Sequence, residues 1–397
     1  MKRQDFAHTR LRALAAILIL ACGFPAAGKT KFKVLHNFTG SIDGGNPILF
    51  APLAADKQSN LYGATYRGGT GCGGVGCGVV FRTARGADGK WSDSVLFDLA
   101  DTQGGFDSPL ALDSQGNLYG CTKGSGNTTF QLTPGFPQWN FNAILPSGCL
   151  GPVGLLFDGK GNFYGDDIDE ISPTANGWVD TNLYTPCQQK GCPDGYDPLA
   201  PFSWDSKGNL YGTTYAGGYP YPGCNCGVVF QLTPNGNGTW TYHVMPRFTY
   251  GDDGCSPYGG LTVDAGGIAY GTAGCGPTRH GVVFKMTQTG KNRWKETVLY
   301  DFGNGNHGFG PESDLVLDGA GNIYGIANSN ACGGLCGLVY ELAPQKGGKW
   351  KYSVLHQFGM TDGDIPNGVT TDSEGRLYGT TMFGGKYGYG VVWQITP

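Results

Sequence analysis

The sequence predicts an all-β ring, a seven-bladed β-propeller with four antiparallel strands per blade, and three observations carry that expectation. A pattern Asp-x-x-Gly-Asn-Leu-Tyr-Gly recurs seven times, each copy is flanked by two further strand-like segments, and the first and last strands belong to one unit. Periodic supersecondary units of this length are the signature of solenoids and propellers.

The repeated tyrosines are Tyr62, Tyr119, Tyr164, Tyr211, Tyr270, Tyr324 and Tyr378, at intervals of 45–59 residues. Each is followed by glycine and preceded, six residues earlier, by Asp56, Asp113, Asp158, Asp205, Asp264, Asp318 or Asp372. A short apolar segment such as Leu261-Thr262-Val263 ends at the aspartate, whose carboxylate can accept from backbone N–H groups further on, as in Asx turns. Glycine three before the tyrosine supplies a positive φ, and a second strand such as Asn209–Thr214 completes a hairpin. Seven aspartates at one offset resemble a catalytic set, but turn chemistry accounts for them, and the tyrosines read as packing between neighbouring sheets.

The third strand is Gly-Val-Val-aromatic, as at Gly78–Phe81, Gly227–Phe230, Gly281–Phe284, Gly337–Tyr340 and Gly390–Trp393, with degenerate copies at Thr129-Phe130 and Ile171. A polar turn and a tryptophan (Trp91, Trp240, Trp294, Trp350) lead into a fourth strand such as Val298–Phe302 or Val354–Phe358, with weaker copies near Ala143 and Leu183. Four strands of about five residues suit one propeller blade. Val34–Phe38 is a fourth strand standing before any first strand, and the last strand, Val391–Ile395, is a third strand. The N-terminal strand is therefore expected to complete the last blade and close the ring without an open edge. An open solenoid would instead carry capping repeats.

Composition agrees with a folded, turn-rich chain. There are 71 glycines and 23 prolines, yet 40% of residues are hydrophobic and 13% aromatic, too apolar for a disordered chain. The net charge is −4 with 15% charged residues and no basic stripe, which argues against a nucleic-acid partner. Residues 1–28 read as a signal peptide: Lys2, Arg3, Arg10 and Arg12 precede the apolar run Leu14–Phe24 and the small residues Ala26, Ala27 and Gly28. The apolar run is shorter than the roughly 20 residues a spanning helix needs, and no transmembrane segment is expected in the mature chain, residues 29–397, read as one domain. Cys22 loosely resembles a lipoprotein attachment site, with Leu20 fitting poorly. The chain is expected to be exported (periplasmic, secreted or surface-associated) and monomeric.

Twelve cysteines remain after the signal, and in an exported chain an even number favours disulfides over metal ligation. Cys72/Cys77 and Cys332/Cys336 are expected as local staples, Cys255/Cys275 as a clamp between two loops, and Cys121/Cys149 as a pair across neighbouring blades. Cys187, Cys192, Cys224 and Cys226 share blade 4; cross-loop pairing is favoured there over a Cys224–Cys226 bridge.

The units, for example Gly208-Asn209-Leu210-Tyr211-Gly212-Thr213-Thr214 with Gly217-Gly218 and Gly227-Val228-Val229-Phe230, resemble the GloVer (Gloeobacter/Verrucomicrobia-type) tandem repeat of bacterial surface and secreted proteins. The Asp-x-x-Gly-Asn-Leu-Tyr core is also similar to NHL repeats, which form propellers. The resemblance implies export and surface association and names no reaction or ligand; the C-terminal sorting segment of many such proteins is not seen here.

Connections between second and third strands, and from each fourth strand to the next blade, must emerge on one face, where a rigid scaffold usually carries its binding residues. From the tyrosine to the third-strand aromatic (or Ile171) the distance is 19 residues in blades 1 and 4 but 11 and 7 in blades 2 and 3, which predicts a gap over the latter pair. Candidate binding residues on this loop face are Tyr66, Tyr215, Tyr219, Tyr221, Phe383, Tyr387 and Tyr389, since aromatics beside glycine suit sugar faces or a protein hot spot. Asp166, Asp167, Asp169 and Glu170 crowd the short hairpin of blade 3; calcium is the one cofactor such a group would take, a solvated acidic turn being the plainer reading. Asp43, Asp107, Asp194, Asp252, Asp253, Asp362 and Asp364 are expected as turn formers. His36 and His356 share a fourth-strand position and read as structural, which leaves His280 and His307 on the loop face without a marked nucleophile. No Gly-x-Ser-x-Gly, His-Glu-x-x-His or P-loop is present, so no catalytic residue is assigned. The leading expectation is a propeller that binds a glycan or protein; the rivals are an acidic, cation-dependent hydrolase or lyase on the same face, and a structural envelope protein without a ligand.

Overall fold

The structure, a computed structural model, describes residues 30–72, 76–99, 105–123, 127–136, 138–145, 154–165, 168–218, 224–303, 307–330 and 336–397. It is a ring of seven antiparallel sheets, each a meander running from the channel outward. Blade 4 shows the plan: Ser203–Trp204 innermost, then Leu210–Thr214, Val228–Pro234 and Trp240–Arg247. Blade 7 is built from Thr370–Thr371, Leu377–Phe383 and Val391–Thr396, and its outermost strand is Lys31–Asn37. That strand runs antiparallel to the last one, from Lys31 opposite Thr396 to Asn37 opposite Val391, so the ring closes as the sequence predicts.

The repeated motif folds for the reason the spacing implies, with one addition. In blade 2 the Asp113 carboxylate accepts from the N–H of Gln115 and Asn117, each at 2.8 Å. Its second oxygen accepts from Asn117 Nδ2 at 2.8 Å and from the Tyr119 hydroxyl at 3.0 Å. The same four bonds recur around Asp56, Asp205 and Asp318. Blade 7 substitutes Arg376, whose Nε donates to Asp372 at 2.6 Å. The aspartate thus ties the turn to the strand that follows, and each hairpin arrives pre-shaped. Burial and the neighbouring aspartate push the phenols of Tyr62, Tyr119 and Tyr270 up to about 12, so they stay neutral donors.

Three contacts repeat between blades. A tryptophan at the start of six of the outer strands packs on the motif tyrosine of the preceding blade: Trp91 on Tyr378, Trp139 on Tyr62, Trp178 on Tyr119, Trp240 on Tyr164, Trp294 on Tyr211 and Trp350 on Tyr270, with ring centroids 5.8–6.4 Å apart. Outer strands then meet through stacked rings, Tyr184 on Tyr242 at 3.9 Å and Tyr300 on Tyr352 at 4.2 Å. Finally, the glycine opening the third strand receives a proline from the next blade. A Cβ built on Gly281 would lie 2.4 Å from Pro311, and one on Gly337 2.2 Å from Pro366. Glycine is required there by contact as well as by the +98° φ of Gly281.

The closing seams differ. Phe32, on the N-terminal strand, stacks on His356 at 3.6 Å, while His36 reaches into blade 1 and pairs with Asp93 at 2.8 Å and with Asp43 at 3.3 Å. The core is consequently a series of layers between sheets. Tyr270, Val283 and Phe302 of blade 5, for instance, pack with Leu315, Ile323 and Leu338 of blade 6. Each such side chain removed from water contributes about 1.5–3 kcal/mol, so blades are stable only as neighbours.

The disulfides Cys72–Cys77, Cys187–Cys192, Cys224–Cys226 and Cys255–Cys275 are formed. Cys121 and Cys336 are also disulfide-bonded, and Cys149 and Cys332 lie outside the described residues. Blade 4 corrects the expectation of cross-loop sulfur bridges: both pairs are local, with Cα atoms 4.1 and 5.2 Å apart. The cross-loop tie is made by Asn225 instead, which donates to the Tyr196 hydroxyl and accepts from the Gly217 N–H, each at 2.6 Å.

Candidate functional site

The channel narrows where the innermost strands begin. Four residues before each turn aspartate stand Pro52, Pro109, Gly154, Pro201, Gly260, Asp314 and Gly368. These positions touch around the ring: a Cβ on Gly260 would meet Pro201 and Asp314, and one on Gly368 would meet Pro52. Six of the seven are proline or glycine, residues that let backbones crowd an axis. The exception, Asp314, accepts from the Gly260 N–H at 2.6 Å. Its carboxyl is enclosed by protein although the residue as a whole is half-buried, and that desolvation pushes it up to about 6.

Above Asp314, on the loop face, a second set of repeat positions departs from pattern. The residue after the loop proline is Ile48, Leu199 and Asn367 in blades 1, 4 and 7, but Tyr258 in blade 5 and Glu312 in blade 6. The Tyr258 hydroxyl donates to that of Tyr215 at 3.2 Å, with the rings 4.7 Å apart. The Tyr215 contact, together with burial and the nearby Glu312 charge, pushes Tyr258 up to about 12. Burial raises the Glu312 carboxyl as well. Two phenols and the Glu312 carboxyl thus converge at the channel mouth over blades 4 to 6, and Tyr258 is 39% exposed, enough to meet a ligand.

Of the seven predicted aromatics, Tyr215 belongs to this cluster. Tyr66 is half-buried, its phenol raised by burial and the Asp107 charge. Phe383, Tyr387 and Tyr389 are exposed on the rim of blade 7. Tyr389 also covers Gly40 at the ring closure, which accounts for part of its role. Tyr219 and Tyr221 lie outside the described residues. The structure does not bring the described five together; among the described residues no ring contact joins any two of them.

Of the acidic group expected in the short hairpin of blade 3, the structure describes Asp169 and Glu170, which pair within it opposite Gly165 and Tyr164. Asp169 and Glu170 are adjacent residues of the strand Asp169–Thr174 and leave opposite faces of the sheet. Asp169 accepts from Asn182 Nδ2 at 2.8 Å, while Glu170 lies beside Ser172 and raises Tyr164. Asp166 and Asp167 lie outside the described residues, and among the described residues no three His, Cys, Asp or Glu side chains converge as a cation site requires. The loop aspartates act as turn formers where the structure shows them: Asp43 accepts from the Thr39 N–H at 3.1 Å, Asp253 from Thr249 at 2.9 Å, and Asp362 from Gly359 at 2.8 Å.

Connections 68–78 of blade 1 and 215–227 of blade 4 are long beside 124–127 of blade 2 and 166–168 of blade 3, as the sequence predicts. Clefts also open on the opposite face, beside the hairpin turns: one of about 590 Å³ between blades 2 and 3, and one of about 600 Å³ between blades 3 and 4.

A family model for the Gloeobacter/Verrucomicrobia repeat matches residues 128–330 and 276–397. The chain belongs to that repeat family. No curated protein sequence matches it. Among solved structures, the extracellular domain of a protein assigned as a hybrid two-component system from B. thetaiotaomicron aligns at 14% identity and TM-score 0.52, over 92% of this chain and 41% of that one. A gluconolactonase from Xanthomonas campestris aligns at 13% identity and TM-score 0.42, over 93% and 90%. A protein assigned as a 6-phosphogluconolactonase from Bacteroides uniformis aligns at 12% and TM-score 0.48, over 76% and 84%. At these identities the likeness speaks to the fold alone. Within this repeat family the missed residues, Tyr258, Glu312 and Asp314, could have been found by aligning the seven units and marking where one unit carries a polar group that its counterparts lack.

Proposed function

We propose that the chain is an exported binding propeller that takes a glycan on its loop face, at the channel mouth formed by Tyr215, Tyr258 and Glu312. The supporting observation is the Tyr215–Tyr258 hydroxyl pair set beside the Glu312 carboxyl, with Tyr258 and Glu312 at a position that blades 1, 4 and 7 fill with Ile48, Leu199 and Asn367. Phenol rings offer an apolar face to a pyranose, and their hydroxyls with a carboxylate satisfy its equatorial hydroxyls. Exposed Phe383, Tyr387 and Tyr389 supply a second contact zone. Export accords with the disulfides, which persist in oxidising compartments, and among the described residues no helix is long and apolar enough to cross a membrane.

A glycan array probed with the oxidised mature chain and with Tyr258→Ala tests this reading. Retention of a glycan that the variant loses supports it; binding indifferent to Tyr258, or capture of protein partners alone, overturns it. One observation favours a second reading, a hydrolase: Asp314 is the one acid at an innermost-strand position that the other blades fill with proline or glycine, and burial pushes its carboxyl up to about 6. Release of reducing ends from a bound glycan, abolished by Asp314→Asn, would establish that reading in place of simple binding.

A further inference from the structure

We infer a second, separate ligand site on the turn face, in the cleft between blades 3 and 4, for a saccharide carrying an acidic substituent. Three departures from the repeat meet there. The residue before the turn aspartate is Ala55, Leu112, Phe157, Val263, Leu317 or Thr371 in six blades, but Trp204 in blade 4. Two residues after the aspartate, blades 3 and 4 carry Lys160 and Lys207, where the others have Gln58, Gln115, Gly266, Ala320 and Glu374. All three residues line the same cleft, and the lysines come from the two blades that form its walls.

The fold explains part of this cleft and leaves the rest over. Trp240 on Tyr164 is the seam contact found in the other blades. Trp204 takes the place of Phe157 in blade 3, which meets Tyr119 edge-on at 4.9 Å, but it alone brings an indole to that position. Its indole N–H donates to the Phe157 carbonyl at 3.1 Å, which fixes the ring, and Tyr164 meets it edge-on at 4.9 Å. Trp204 and Trp240 then stand 6.2 Å apart at 36°, both half-buried. They form an angled pair of indole faces with open space before them. The cleft holds about 600 Å³, within the range of small-ligand sites.

The charges select the ligand. Asp158 and Asp205 also line the cleft, but each carboxylate is held by its own hairpin. Neither lysine forms an ion pair among the described residues. Two ammonium groups lining one cleft with two indoles fit a pyranose bearing a carboxylate or a sulfate, its C–H face on the rings and its anion toward the lysines.

The test uses the oxidised mature chain, titrated with galacturonate oligomers, sulfated dextran oligomers and neutral dextran oligomers, followed by tryptophan fluorescence and calorimetry. Trp204→Leu and the double variant Lys160→Gln/Lys207→Gln install residues that other blades carry at these positions, so both should fold; Trp204→Leu gives up the Phe157 bond and the Tyr164 contact and should melt lower, and binding is compared well below either melting temperature. At least one acidic probe is expected to bind about tenfold or more tightly than the neutral one, with each variant losing roughly tenfold. The preferred acidic probe distinguishes carboxylate from sulfate. Tyr258→Ala is expected to leave this binding intact, which separates it from the loop-face proposal. Equal binding of neutral probe, unchanged binding by both variants, or no binding of either acidic probe would overturn the inference.

Discussion

Replacing Gly281 by alanine tests how the blades are locked together. Gly281 has a φ of +98°, and an added Cβ would sit 2.4 Å from Pro311 Cδ and 3.1 Å from the Ala273 carbonyl. Two costs follow. The backbone conformation alone penalises an L side chain by about 1–2 kcal/mol, and forcing a methyl into a filled contact adds roughly 1–3 kcal/mol. Gly267 separates them: its φ is +80°, and nothing lies within 4 Å of its built Cβ. Gly267→Ala should therefore cost about 1–2 kcal/mol and Gly281→Ala roughly 2–5 kcal/mol. Equilibrium urea denaturation under oxidising conditions measures both, with m unchanged if only stability moves. Removing the obstructing ring by Pro311→Ala should recover part of the Gly281→Ala loss, with a coupling above about 0.5 kcal/mol in the double-mutant cycle. Equal costs for the two glycine variants, or no coupling, would refute the seating of Pro311 on Gly281 as a lock between blades 5 and 6.

Tyr211→Phe removes a hydroxyl that donates to Asp205 at 3.1 Å and accepts from the buried Gln231 at 2.6 Å, so it should cost about 1–3 kcal/mol in the same assay. Trp294→Ala opens the seam over Tyr211 and, because the indole is half-buried, should cost roughly 2–4 kcal/mol, with Trp294→Phe losing less. The ring closure should respond to pH. Burial alone would lower His36, but its bonds and charge contacts with Asp93 and Asp43 prevail and raise it above its ordinary 6.5. Its stabilisation is therefore complete below about 6.5 and fades as pH rises through the higher folded value. His356 is lowered, burial outweighing Asp362, so protonating it destabilises the fold and its contribution is lost as pH falls. Urea midpoints from pH 5.5 to 8 (roughly the titration range of imidazole), parent minus His36→Gln and parent minus His356→Gln, should slope in opposite directions; parallel slopes would contradict this assignment.

Much of the fold could be read because its parts are local. An aspartate, a glycine and a tyrosine at fixed offsets define a hairpin within eight residues, and the misplaced fourth strand Val34–Phe38 exposes the closure. The blade 4 cysteines were beyond that reading, since their pairing depends on how glycine-rich loops bend. That Asp169 and Glu170 leave opposite faces of the sheet was not legible, because the degenerate third strand of blade 3 lacks the Gly-Val-Val signal that marks where a strand begins.

By itself, the sequence determined the number of blades, the order of strands and the ring's closure, because these follow from short-range turn chemistry repeated seven times. Only the tertiary structure decided where chemistry gathers. Tyr215, Tyr258 and Glu312 come from three successive blades yet meet at one channel mouth, and Lys160, Trp204 and Lys207 meet across a seam. The physical reason is the ring itself: it places equivalent positions of neighbouring blades side by side, so one unusual residue per unit becomes a cluster only after the blades have packed.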